Sequence, residues 1–485
     1  MKSCFDSEKY LELQTKNILS RIDLFDKLYL EFGGKLIDDY HASRVLPGFK
    51  PDQKIRLLEE LREKSEIVLC INSNDIETSK IRSDHMISYE TEVFRLIEFF
   101  RAKNLEINNV VITLYTGQKK VKSFVKKLKD YDITAYLHTP TKGYPTDVKT
   151  IVSEEGYGKN PYIETKKPIV IITAPGAKSG KLATCLSQLY HESKRGVKAG
   201  YAKFETFPVW DLPLKHPINL AYEAATADIA DRNMIDNFHL EKYGKTAVNY
   251  NRDLEIFPVV KEIIHKILGK DIYFSPTDMG VNVIGSCIID DKVACEAAKN
   301  EIIRRYLKAV VDLKKGLVDD SVPERIKLLM NELNISEKDR KVVKHAEEKK
   351  KVSHLPSACL EVNKKFITGR KTGYLSPVSS TILNALKTLT KIPDEVDLIS
   401  ESILEPILGV KNETSNFKES YLKLNEVLIA LSICSTTNPT AKKALDNLEK
   451  LRGSEFHATY LLPDDEVTIL NNLGLNVTCS PEFAQ

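Results

Sequence analysis

Short apolar runs alternate with longer amphipathic segments through residues 1–215. LYLEF at 28–32, IVLCIN at 67–72, VVITLY at 110–115, ITAYLH at 133–138 and PIVIITA at 168–174 read as strands. Between and after them, 8–26, 52–64, 88–103, 120–131 and 181–194 carry apolar residues at helical spacing. Strands apolar on both faces, separated by helices of this length, belong to a parallel sheet buried between helical layers. From 216 to about 350 the pattern becomes mostly helical, with segments at 217–231, 254–268, 291–315, 322–333 and 337–351. Beyond 356 the mixed pattern returns. CLEV and KFIT suggest a hairpin, 376–390, 440–451 and 463–472 helices, and FHATYLL and LNVTCS strands, while EVLIALSI at 426–433 fits helix or strand. The fold class expected is α/β. A three-layer, mostly parallel sheet with a phosphate-type loop spans 1–215, a mostly helical region 216–352, and a smaller C-terminal α/β subdomain 353–485.

Sheets of this kind bind ligands beyond the carboxyl ends of their strands. The sharpest local signal sits there. The apolar strand ending at Ala174 runs into Pro175-Gly176-Ala177-Lys178-Ser179-Gly180-Lys181, and a helix opens at Lys181. Backbone N–H groups converge at such a helix start, the helix dipole adds positive potential, and glycine admits an anion close to the backbone. Gly176, Lys178, Ser179, Gly180 and Lys181 are therefore the expected phosphate-binding residues. The loop departs from the G-x-x-x-x-G-K-[ST] pattern: Pro175 stands first, and Leu182 takes the place of the magnesium-binding hydroxyl. ATP or another nucleotide suits the loop as cofactor, and a magnesium requirement does not follow from it.

Six clusters of polar, aromatic and turn residues supply further candidates. They contain Asp38, Asp39, His41 and Arg44; Asn72, Asn74 and Asp75; Tyr157 to Asn160; Lys203 and Glu205 with His216; Asn249 to Asp253; and Thr277, Asp278 and Asn282. His216, Asp278, Glu205 and Arg252 are the expected catalytic groups, since they combine proton-transfer or charge-stabilising chemistry with loop positions. Asp39, His41, Arg44, Asn72, Asn74, Asp75, Lys203, Asn251, Thr277 and Asn282 are further site candidates. Each cluster also fits turn and helix-capping duty. Thr368 to Thr372, with Ser379 and Ser380 in the helix that follows, offer a second helix-start anion site.

Composition narrows the function classes. Hydrophobic residues make up 42% of the 485 and charged residues 29%, which excludes disordered and collagen-like chains. The formal net charge of +3 gives no global field toward nucleic acid, and no apolar run is long enough to span a membrane. None of the eight cysteines forms a C-x-x-C pair, so no metal site is expected from their spacing, and buried reduced thiols in a cytoplasmic protein are.

FGGKLIDDYHASRVLPGF, APGAKSGKLATCLSQLYHE, the segment 195–228, VNYNRD, SPTDMGVN and LGLNVTC together resemble a bacterial family of unknown function, catalogued as domain of unknown function 1846. The resemblance spans the full length. It implies a cytoplasmic protein with an α/β N-terminal region, a helical middle and a compact α/β end, and it supplies no activity. The family's loop carries Pro-Gly where this chain has Ala177-Lys178, which removes a glycine and adds a positive charge. KTGYLSPVSS likewise departs from the family's Gly-Ala-Ser-Ser pattern. The function expected is an enzyme acting on a phosphate-bearing small molecule or nucleotide, in a homo-oligomer. The alternative is a non-catalytic nucleotide-sensing or assembly protein, in which the helical middle serves oligomerisation.

Overall fold

The computed structural model describes residues 3–34, 36–37, 39–82, 87–414 and 421–483. Asp38, which opens the first polar cluster, lies outside the described residues. The chain divides into two compact units, Met1–Thr226 with Ala230–Ala298, and Ala227–Ile229 with Lys299–Gln485.

The first unit is built on β1 (Lys27–Phe32), β2 (Ser65–Asn72), β3 (Ile107–Thr113), β4 (Thr134–Leu137), β5 (Ile169–Thr173) and β6 (Ala199–Phe204). They form one sheet in the order β4-β3-β2-β5-β1-β6, and every pair is parallel. Ile, Val and Leu dominate β2, β3 and β5 because branched side chains pack well on a pleat covered from both sides. Helix α1 (Ser7–Ile22) precedes β1, and α2 (Tyr40–Val45), α3 (Gln53–Leu61), α4 (Ser73–Glu77), α5 (Tyr89–Ala102) and α6 (Lys119–Asp130) lie between the early strands. Helix α7 (Lys181–Lys194) follows β5. Later in the unit come α8 (Pro217–Ala225), α9 (Asn251–Leu268), the single turn α10 (Pro276–Met279) and the start of α11 (Asp291–Lys314). One face of the sheet, carrying Tyr29, Val68, Cys70, Val170, Ile172 and Tyr201, packs against Cys185, Leu186 and Leu189 of α7 and against Phe257, Val260 and Ile264 of α9.

Strand β6 was not expected from the sequence, whose reading of 199–204 stops at a polar loop. AGYAKF lacks the branched residues that mark a strand. Its small residues are there for packing: a Cβ on Gly200 would stand 2.3 Å from a ring carbon of Phe25.

The second unit contains a four-stranded sheet in the order β8-β7-β9-β10, from β7 (Ser357–Val362), β8 (Lys365–Arg370), β9 (Glu455–Ala458) and β10 (Asn476–Cys479). The β7–β8 and β7–β9 pairs are antiparallel and β9–β10 is parallel. The ambiguous run at 426–433 is helical, within Leu424–Cys434. A helix at Glu401–Thr414 appears where none was expected, because Pro406 and Gly409 both argue against one from sequence. Helix α12 (Ser321–Glu332) and helix α13 (Lys341–Ser353) precede the sheet. The buried Arg340 guanidinium pairs with Glu455 and donates to Asn300 and to the Asn476 carbonyl, tying α11 to β9 and β10. The second helix-start anion site, at α14 (Pro377–Thr390), is already filled from within. Ser376 caps the helix, and the Glu466 carboxylate accepts from the Ser376 hydroxyl at 3.2 Å and from the Leu424 N–H. Among the described residues no helix is long and apolar enough to cross a membrane.

Gly200→Ala should overpack the β6–Phe25 contact and destabilise the first unit by about 1–3 kcal/mol. A urea unfolding midpoint unchanged from the wild type would contradict this.

Candidate functional site

The chain enters the sheet at β1, winds outward through β2, β3 and β4, then returns to place β5 on the far side of β2. The switch point lies between β2 and β5, where the loops after these strands diverge, the position at which sheets of this kind take their ligands. The loop after β5 holds residues 175–181, the segment expected from the sequence to bind phosphate. Asn72, at the end of β2, donates to the Lys178 carbonyl at 3.3 Å, and Thr113, at the end of β3, donates to the Ser179 carbonyl at 2.8 Å. Both anchors use carbonyls and so leave the loop's N–H groups in place.

Gly180 caps α7 with φ +80 and no side-chain acceptor, which leaves the first N–H groups of a 14-residue helix without a cap. Its left-handed backbone and the closeness of Thr113, 2.9 Å from an added Cβ, both require glycine. Two buried hydroxyls flank the loop, Thr173 at 1% exposure and Ser179 at 3%, and neither has a hydrogen-bond partner. Gly176 lies against the Tyr89 ring, where an added Cβ would come within 2.2 Å. Lys181 opens the helix, and Leu182 follows it.

A second group sits at the carboxyl ends of β1 and β6. The register sets Glu31 opposite Lys203 on the face that α7 and α9 cover. Lys203 Nζ, with its side chain 16% exposed, lies 2.6 Å from Asp253 of α9 and 3.2 Å from Glu205. It also donates to the Tyr250 hydroxyl, and Tyr250 donates in turn to Glu205 Oε1 at 2.6 Å. Burial alone would push the Lys203 ammonium down; the fields of Asp253, Glu205 and Glu31 overcome it and hold the charge firmly. Burial pushes the Glu205 carboxyl up to about 7 against the pull of Lys203, and Asp253 adds to the rise. A carboxyl that titrates near neutrality and is hydrogen-bonded to a phenol can accept or donate a proton at cellular pH. Gly33 lets Glu205 reach this place, since an added Cβ would stand 2.8 Å from its carboxyl oxygen.

The loop and this cluster share one edge and one face. Helix α7 starts at the loop and lies over β5, β1 and β6. Burial pushes the Cys185 thiol well up; the field of Glu31 adds to the rise and that of Lys181 opposes it, so both charges act on one point of α7.

The other residues singled out in the sequence have partners of their own, and Asn72 and Arg252 border the two groups just described. Arg252 makes a bidentate salt bridge to the buried Asp231 and stacks near the Tyr250 ring. Asp278 accepts from the N–H groups of Phe274 and Ser275 and from Tyr243, as the box residue of α10. Thr277 donates to Asp236, Asn251 accepts from the Arg232 N–H, and Asn282 holds the Thr206 carbonyl and the Ile284 N–H. Asp39 caps α2 and pairs with buried Lys54 at 2.9 Å; burial alone would raise its carboxyl, and Lys54 holds it below the ordinary range. His41 packs edge-on against Phe207, and Arg44 ends α2. Asn72 caps α4, Asn74 accepts from Gln118, and Asp75 pairs with Lys80. His216 caps α8 and meets Asp291 and Cys295, the only group of three possible metal-ligating side chains found among the described residues. Sequence reasoning left Glu31, Thr113 and Thr173 out. The signal was available for Glu31, a carboxylate at the fourth position of the apolar strand LYLEF.

Two family models match the chain. The one described as Domain of unknown function DUF1846, N-terminal, covers residues 3–334, and its C-terminal counterpart covers 338–485. A UPF0371 protein of Clostridium botulinum strain Alaska E43 is 55% identical over 493 aligned positions, spanning 100% of this chain and 98% of that protein. A UPF0371 protein of strain ATCC 19397 is 54% identical over the same spans.

Glu205 binds its proton more tightly in the folded state than at its ordinary value of 4.5, so its contribution to stability is full below 4.5 and lost as pH rises through about 7. Glu205→Gln should remove that part of the loss between pH 5 and pH 8. Parallel stability-versus-pH curves for the two proteins over this window would refute the raised carboxyl.

Proposed function

The chain belongs to the bacterial family described as domain of unknown function DUF1846, and from that premise we propose that it binds a phosphate-bearing small molecule at the loop 176–181 and acts on it by proton transfer. The observation that carries the reading is the uncapped start of α7, with two buried, unpartnered hydroxyls, Thr173 and Ser179, in the segment that leads into it. A phosphate group satisfies all three features at once: its oxygens accept from the helix N–H groups and from both hydroxyls, and Lys181 supplies charge.

Strand spacing supports the reaction part. Strands β5, β1 and β6 are consecutive in the sheet, so their ends lie about 10 Å apart over two spacings. A nucleoside or sugar phosphate covers that span, with its phosphate at the loop and its far end at Glu205 and Tyr250. Glu205 takes or gives the proton, Tyr250 holds the carboxyl's orientation, and Lys203 stabilises negative charge that develops beside it. Leu182 in the hydroxyl position favours a second reading, binding without phosphoryl transfer, in which ligand controls self-association.

The test is a thermal-shift panel of ATP, ADP, pyrophosphate and sugar phosphates. A ligand at 100 times its Kd should add about 2.7 kcal/mol, and Lys181→Ala should abolish the gain. Stabilisation that survives Lys181→Ala refutes the loop as the site. Glu205→Gln should keep the binding and lose turnover; a ligand-dependent change in mass by light scattering, with no turnover in the wild type, selects the second reading.

A further inference from the structure

The side chains of His216, Asp291 and Cys295 converge at the start of α11. Asp291 and Cys295 are one turn apart on the same helix face, and His216 reaches them from the residue before α8. His216 Nε2 lies 3.0 Å from Asp291 Oδ1 and 3.5 Å from Cys295 Sγ, and Cys295 Sγ lies 3.8 Å from Asp291 Oδ2. Three ligands at zinc bond lengths of about 2.0–2.3 Å in a tetrahedron stand about 3.3–3.6 Å from one another. The observed separations bracket that range: His216 meets one oxygen of the Asp291 carboxylate and Cys295 the other, so imidazole, carboxylate and thiol face a common point.

We propose that His216, Asp291 and Cys295 form a three-ligand zinc site with water in the fourth position. The donor set selects the metal class. Imidazole and thiolate favour a borderline-soft cation over magnesium or calcium, and three protein ligands with an open position are the pattern of zinc sites that bind water or a substrate. Solvent has access through Asp291, whose side chain is 63% exposed. Of the eight cysteines the other seven are buried, so Cys295 is the thiol a solvent-borne metal meets.

One contact must change. His216 Nδ1 accepts the Ile218 N–H at 3.3 Å, and coordination through Nε2 moves the ring proton to Nδ1. The lost contact is a long one, and Pro217 at the first helical position has no N–H to satisfy, so only the Ile218 N–H loses its side-chain acceptor.

The experiment uses the full chain, stripped with a chelator and titrated with Zn2+ against a chromophoric competitor, then with Co2+ as a spectroscopic probe. One zinc per chain is expected, and a thiolate-to-cobalt charge-transfer band. His216→Asn keeps a capping side chain at α8 and removes the imidazole; it, Asp291→Asn and Cys295→Ser should each weaken zinc by more than about tenfold, the least that loss of even an outer-shell partner costs. Cys295→Ser should also remove the charge-transfer band, while circular dichroism shows an unchanged fold. Absence of stoichiometric zinc in the wild type, or zinc and the cobalt band unaltered in Cys295→Ser, overturns the site.

Discussion

An ammonium group held largely out of water must be neutralised where it stands, and Lys203 is such a group. Removing one partner from a buried ion pair costs about 3–5 kcal/mol, because the remaining charge keeps its desolvation penalty. Three elements meet this constraint together: β1 brings Glu31 into register, β6 supplies Glu205, and α9 swings Asp253 and the preceding Tyr250 over the strand ends. The segment at 280–281 then closes along β6, with the Val281 N–H on the Lys203 carbonyl. The polar cluster at the carboxyl ends of β1 and β6 is thus organised around one charge.

The same physics separates the polar residues of this charged cluster from those that hold backbone. Turns expose N–H groups that need acceptors, and Asp278, Asn72, Asp39 and Asn282 each meet that need. Asn72 and Thr113 serve the loop at 175–181 the opposite way, by donating to its carbonyls. The N–H groups at the head of α7 keep their free direction, and the hydroxyls of Thr173 and Ser179 add two more polar groups there.

Fold class was legible because its cause is local and repeated. Branched apolar residues in β2, β3 and β5, spaced by amphipathic helices, admit little besides a buried parallel sheet, and the hairpin β7–β8 follows from alternation in CLEV and KFIT. Helix α7 runs over 181–194 as its pattern predicts. Strand β6 was illegible because alanine and glycine were selected there by the Phe25 ring, a partner distant in sequence. The helix at Glu401–Thr414 was hidden by Pro406 and Gly409, whose local preference its tertiary setting overrides.

The sequence by itself determined the α/β architecture, the strand-loop-helix with its glycines, and the family, since each rests on residues near one another in the chain. Only the tertiary structure decided which polar residues meet. Glu31 and Lys203 face each other through parallel register, Asp253 arrives from α9, and His216 leaves the expected catalytic group for Asp291 and Cys295. Charge pairing and ligand geometry act through space over a few ångströms, and separation along the chain carries no record of them.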